Sequence, residues 1–215
     1  MPNCDLNTRA DVTTTTLSLP EELQLALPPL TGHLRFGAMD LAVAAIIDLA
    51  LRGRLVAKKS RFGQPSSAAL TVVDGSPTGN LPLDAALEAF VARGKPWKVY
   101  FAVTDLWASV SEATTASLVD RGVFVVHGTP RGRDGHLEPV DVYLREEAVA
   151  RLEREPSPDD PRAAMLLDIR RHSAWGWSPK GGLRRPPVLG DYPENVAITA
   201  RGALSALYIA TGSAV

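Results

Sequence analysis

Residues Asp40 to Leu55, DLAVAAIIDLALRGRL, constrain the fold more than any other stretch, because they describe a helix with no solvent-facing side. Leu41, Val43, Ala44, Ala45, Ile46, Ile47, Leu49, Ala50 and Leu51 leave only Asp48 polar in the middle. A helix that is apolar all round is a buried one. It is too short and too interrupted to cross a bilayer, which takes about 20 apolar residues. Asp40 is the expected N-cap, Arg52 and Arg54 suit the negative end of the helix dipole, and Gly53 suits a left-handed stop. Beyond it, Leu55-Val56-Ala57 reads as a strand.

A central buried helix needs a core around it, and 215 residues at 45% hydrophobic content supply one. The reading is therefore a single compact, mainly α-helical domain over residues 19–215, preceded by a flexible, Thr-rich N-terminal arm over residues 1–18. The formal net charge of −1 excludes a strongly basic nucleic-acid coat and a highly acidic tail, so any electrostatic site is local. The single cysteine, Cys4, can form no internal disulfide, which suits a reducing cytoplasm. Met1 to Ser18 lacks the apolar segment of a signal peptide.

The other elements follow from patterning and punctuation. Pro20 to Ala26 reads as a short helix ended by Pro28-Pro29. Leu55 to Lys59 and Ala68 to Asp74 read as a hairpin joined by the loop Ser60 to Ser67. The turn residues from Asp74 to Gly79 lead into a helix over Leu83 to Ala92, with Pro82 in its first turn. A long helix is predicted from about Asp105 to Arg121, stopped by Gly122. A second hairpin is predicted from Val123 to His127 and Val140 to Leu144 around the turn Gly128 to Gly135. Helices are predicted over Arg145 to Glu155, Pro161 to Ala174 and Glu194 to Thr211, with a Gly/Pro-rich loop from Trp175 to Tyr192. The chain thus runs helix, glycine stop, hairpin twice, giving a buried central helix and two small β-hairpins.

Three blocks in order resemble the Golgi phosphoprotein 3 family and its bacterial, mostly actinobacterial, relatives. They are Asp48-Leu-Ala-Leu-Arg-Gly-Arg-Leu55, then Pro77-Thr-Gly-Asn-Leu-Pro-Leu-Asp84 leading into a helix, and Leu118-Val-Asp-Arg-Gly-Val123 leading into a hairpin. The resemblance implies a mainly helical fold and a non-enzymatic, lipid-binding adaptor. Its eukaryotic members are peripheral membrane proteins that bind phosphatidylinositol 4-phosphate and the cytoplasmic tails of glycosyltransferases, and family members form oligomers. Counted back without gaps from the blocks, the family's headgroup-binding Trp falls on His33 and its three Arg on Ala42, Ala108 and Ser111. None of the four is retained, and Ala or Ser cannot replace the planar donor fork of an Arg on phosphate. The resemblance therefore carries the scaffold further than the headgroup specificity.

The candidate lipid or membrane-surface residues are His33, Arg35, Arg131, Arg133, Trp175, Trp177, Arg184 and Arg185. Arg131 and Arg133 sit in the predicted hairpin turn Thr129-Pro-Arg-Gly-Arg-Asp-Gly135, which is charged where the family's tip is apolar. Trp175 to Lys180 with Arg184-Arg185 combines interfacial aromatics with cations. An exposed-Arg and core-edge-Trp reading outweighs this by about two to one. Four such cations beside an anionic surface contribute only about 4 kcal/mol, a millimolar attachment that calls for a headgroup pocket or several copies.

Other chemistries fare worse. A winged-helix DNA reader would need cations on Asp105 to Arg121, which instead carries Asp105, Glu112 and Asp120. His33, His127, His136 and His172 show no metal-ligand spacing, and no phosphate loop or nucleophile elbow occurs. His172 with Asp168 at helical spacing is the one acid/base pair on offer, and Arg170 and Arg171 beside it suggest a solvated face. Thr78-Gly79-Asn80 could cradle an anion, with turn duty the better explanation of Asp74 and Asp84. The expectation is a cytoplasmic, peripheral binding protein without cofactor or metal. Its partners are anionic phospholipid headgroups or, in the alternative, a protein alone, with a homo-oligomer allowed and no nucleic acid.

Overall fold

A computed structural model of the chain describes residues 17–27, 35–60, 64–128, 136–153, 160–172 and 192–212. Helix α1 spans Leu19–Ala26 and α2 spans Arg35–Leu51. Leu41 to Ile47 and Leu49 of α2 have no exposed surface. This helix packs most extensively against α4 (Val99–Asp120), with α7 (Glu194–Gly212), α1, α3 (Leu81–Arg93) and α6 (Pro161–His172) around it. The expected buried central helix is this one. It starts earlier than predicted. Asp40 lies inside it, 1% exposed, and is not its N-cap, because Gly37 and Ala38 upstream are also buried and packing extends the helix past the expected cap.

The two predicted glycine stops share one geometry. Gly53 has φ 69°, its N–H reaches Ala50 O at 3.0 Å, and Arg54 N reaches Leu49 O at 2.8 Å. Gly122 has φ 68°, with Gly122 N to Val119 O at 2.9 Å and Val123 N to Leu118 O at 2.8 Å. Both are Schellman closures, which need a left-handed residue that glycine adopts without steric cost. A strand follows each: β1 at Leu55–Lys58 and β4 at Phe124–His127.

Strand β1 pairs antiparallel with β2 (Ala69–Val72), Leu55 opposite Val72 and Lys58 opposite Ala69. The first hairpin gains a strand that the sequence does not reveal: β3, Trp97–Lys98, pairs with β2 through Ala69 opposite Lys98 and Leu70 opposite Trp97. Two residues are too few to show a period. The long helix α4 begins at Val99, six residues before the predicted start, because Val99, Ala102, Val103, Leu106 and Val110 form one buried stripe. Burial there overrides the β-branched and aromatic composition of Val99 to Val103.

In the second hairpin β4 pairs with β5, which is His136–Pro139 and not the predicted Val140 to Leu144. Val142 to Leu144 instead open α5, Val142–Glu153, because the Asp141 side chain accepts hydrogen bonds from Tyr143 N at 2.9 Å and Leu144 N at 3.4 Å. An N-cap outcompetes a strand. Under this hairpin lies a small satellite core of Leu17, Leu25, Leu118, Val123, Phe124 and Ala148. Leu17 and Ser18, the last two residues assigned to the N-terminal arm, are buried at 1% exposure, so the folded unit begins before residue 19. Residues 1–16 lie outside the described residues. Among the described residues no helix is long and apolar enough to cross a membrane.

Candidate functional site

The most polar interior of the molecule surrounds α1. Glu21 and Glu22 are consecutive and both buried, at 0% and 1% exposure, because an eight-residue helix packed on several sides has no solvent face left for them. Glu21 accepts hydrogen bonds from Ser18 N and Ser18 Oγ at 2.7 Å each, from Asn80 Nδ2 at 2.9 Å and from Ser117 Oγ at 2.6 Å. The Ser18 N contact is the return half of a capping box. Burial pushes the Glu21 carboxyl up, but these donors outweigh it and leave the group below its ordinary range. Glu22 accepts from Arg151 Nη1 at 2.7 Å and lies 3.7 Å from Arg162 Nη2. There burial wins over the two cations, and the carboxyl is raised. Arg151 also donates to Asp160 at 2.7 Å, and Arg162 to the Leu17 carbonyl at 2.7 Å. The belt thus ties α1 to α3, α4, α5 and α6. Both carboxylates are held by side chains from neighbouring elements, although Glu22 Oε2 has only Arg162 Nη2 at 3.7 Å and no hydrogen bond, so the belt acts as a clamp between helices.

The anion cradle that Thr78-Gly79-Asn80 suggested is occupied from within. Asp84 accepts from Thr78 N at 2.6 Å, Thr78 Oγ1 at 2.7 Å and Gly79 N at 3.1 Å. A carboxylate of α3 therefore fills the nest that an external anion would need. The His172 and Asp168 pairing is also different from the one the spacing suggested. The His172 Nδ1–H donates to the Asp168 backbone carbonyl at 2.7 Å, which is a helix-end contact. Tyr192, whose hydroxyl donates to Pro161 O at 2.6 Å, has its phenol pushed up to about 12 by burial and then by Asp168 and Asp160.

Of the eight residues singled out from sequence, Arg35 is the first residue of α2. His33, Arg131, Arg133, Trp175, Trp177, Arg184 and Arg185 lie outside the described residues. Three positions that correspond to the family's headgroup arginines are described. Ala42 is fully buried within α2, and on α4 Ala108 is exposed and Ser111 partly so. They offer methyl and hydroxyl groups where a phosphate would need cations. Trp107 is partly buried against the main core.

A concentration of positive charge that patterning missed lies at the three-stranded sheet. Residues 52–59 carry four cations and residues 93–98 carry three, with no carboxylate in either run. Arg52 Nε donates to Asp48 at 2.9 Å, Arg54 pairs with Asp74 and donates to Ser76, Lys59 is 3.7 Å from Glu194, and the Arg93 guanidinium lies 4.4 Å from the centre of the Trp97 ring. Lys58, Lys95 and Lys98 are exposed and make no ion pair among the described residues. The signal available in the sequence was the lack of any acid in two runs 33 residues apart, which only the pairing of β1, β2 and β3 joins.

The described residues form a mainly helical domain built on one buried helix, with two small antiparallel sheets. The family model of Golgi phosphoprotein 3 (GPP34) matches residues 19–174, and the chain belongs to that family. The match starts at the first residue of α1 and stops before α7, yet α7 packs against α2 as part of the same core. The family is not one of known enzymes. No curated protein matches the chain at a significant level.

Proposed function

We propose that this Golgi phosphoprotein 3-type protein works by binding, as a non-enzymatic peripheral adaptor on an anionic lipid surface at the cytoplasmic face of a membrane. The supporting observation is the group of three exposed lysines at the three-stranded sheet, Lys58, Lys95 and Lys98, which make no ion pair among the described residues, in a chain whose formal net charge is −1. Charge of one sign gathered on one side attracts an anionic leaflet without making the whole protein basic. Specific capture of phosphatidylinositol 4-phosphate forms no part of the proposal, since Ala42, Ala108 and Ser111 stand where the family's headgroup arginines would be.

Each cation close to an anionic leaflet contributes about 1 kcal/mol, so one protomer binds weakly and several copies are needed for lasting recruitment. The test is sedimentation of the full chain with phosphatidylcholine vesicles, with and without an anionic phospholipid, at low and high salt. Pelleting that requires the anionic lipid and fades with salt supports the proposal. Its absence at low salt overturns it and leaves capture of a protein partner as the reading.

A further inference from the structure

The solvent side of the three-stranded sheet has a composition suited to one kind of partner. The register sets Lys58 opposite Ala69 and Ala69 opposite Lys98, so the three share one side of the sheet. Val56 and Thr71 form the next row on that side, both exposed. The other side, with Leu55, Leu70 and Trp97, faces the core. Lys98 is also the N-cap of α4, whose first turn holds no acidic residue, and Phe101 in that turn is 48% exposed. Two lysines on backbones about 10 Å apart, with Val56 in the next row and exposed Phe101 three residues on from Lys98, combine charge with interfacial apolar groups.

We propose that this side of the sheet is the membrane footprint, with Lys58 and Lys98 on the phosphates of neighbouring anionic phospholipids and Phe101 at the headgroup boundary. The proposal rests on the adaptor reading above and gives it an orientation: the start of α4 points toward the bilayer. A second copy of the chain fits this surface poorly. A twofold pairing of the sheet with itself would set lysines against lysines. The positive end of the α4 dipole adds to the lysine charges toward the same anionic plane.

The experiment is co-sedimentation of the full chain with vesicles of phosphatidylcholine and phosphatidylglycerol, comparing wild type with K58E/K98E, K58R/K98R, Phe101→Ser and a charge-matched control, R145E/R171E on α5 and α6. The expected result is at least about a tenfold loss of affinity in K58E/K98E, near-wild-type binding in K58R/K98R, and a loss at low salt in Phe101→Ser, which changes no charge. Thermal melts check that the fold survives the substitutions, all of which are at exposed positions except half-buried Arg145. Should wild type bind while K58E/K98E loses no more than R145E/R171E, the footprint is wrong and the adaptor reading stands. Should wild type not bind at low salt, both are overturned.

Discussion

The Asp48 carboxylate, in the middle of the apolar helix α2, accepts a hydrogen bond at 2.8 Å from the backbone N–H of Leu19, the first residue of α1. The one polar residue in the apolar run thus caps a different helix, 29 residues away. Its other oxygen takes Arg52 Nε at 2.9 Å and lies 3.7 Å from Arg162 Nη1. Replacing Asp48 by Ala leaves a buried N–H without its acceptor and removes the anion from two cations. The expected loss is about 1 to 3 kcal/mol, the cost of leaving a buried donor unsatisfied, since the partly exposed Arg52 and Arg162 can turn to water. Urea unfolding measures it, and a loss below about 1 kcal/mol would show that α1 is capped some other way.

The two buried glutamates of α1 titrate in opposite senses. Glu21 is held below its ordinary value of 4.5, so its contribution is present above that pH and is lost as pH falls through the lowered folded value. Glu22 is held above 4.5, so the folded state binds the extra proton, and stability falls as pH rises from 4.5 through the raised value. The deficit of Glu21→Gln should therefore be largest at neutral pH and shrink in acid. Glu22→Gln should compare most favourably with wild type at neutral pH. Denaturant midpoints from pH 3 to 7 decide this, and parallel pH profiles for the two variants would contradict it.

Asp84 and the Thr78 amide make a prediction about the occupied nest. Asp84→Ala frees Thr78 N, Thr78 Oγ1 and Gly79 N, at an expected cost of about 1 to 3 kcal/mol. Inorganic phosphate should restore part of the melting temperature of this variant and do little for wild type, because the nest is then open to an external anion. Equal phosphate effects on both proteins would count against the assignment.

Gly202 in α7 is a site of close approach. A Cβ there would meet the Pro65 carbonyl oxygen at 2.9 Å and Val99 Cγ2 at 3.1 Å. Glycine to alanine in a helix ordinarily stabilises by up to about 1 kcal/mol. Here overpacking against backbone, about 1 to 3 kcal/mol, should win and make Gly202→Ala less stable than wild type. A variant that melts at or above the wild-type temperature would mean that α7 shifts at little cost.

Much of the fold is legible because it depends on local rules. The apolar run from Leu41 to Leu51 has one favourable environment, and Gly53 and Gly122 end their helices through backbone geometry that neighbouring residues define. Two of the misread elements, the start of α4 and strand β3, are decided at a distance, whereas the Asp141 cap that opens α5 is a local contact that outweighs the strand pattern. The start of α4 at Val99 depends on burial against α2 and α7. Strand β3 exists because two residues meet β2, and β5 gives way to α5 because Asp141 caps it.

The site divides in the same way. That Asp48, Glu21 and Glu22 are acidic residues amid apolar neighbours can be read from the chain, but not that Leu19, Ser117 and Arg151 complete them across 29, 96 and 129 residues. Lys58 and Lys98 are ordinary surface lysines in sequence, and only the shared row through Ala69 puts them on one side of a sheet. By itself the sequence determined the scaffold: the buried helix, its glycine stops and the family blocks, all short-range patterns of polarity and backbone freedom. The tertiary structure alone decided which charges are buried, paired or left facing solvent, because desolvation and charge pairing depend on distances that the order of residues does not contain.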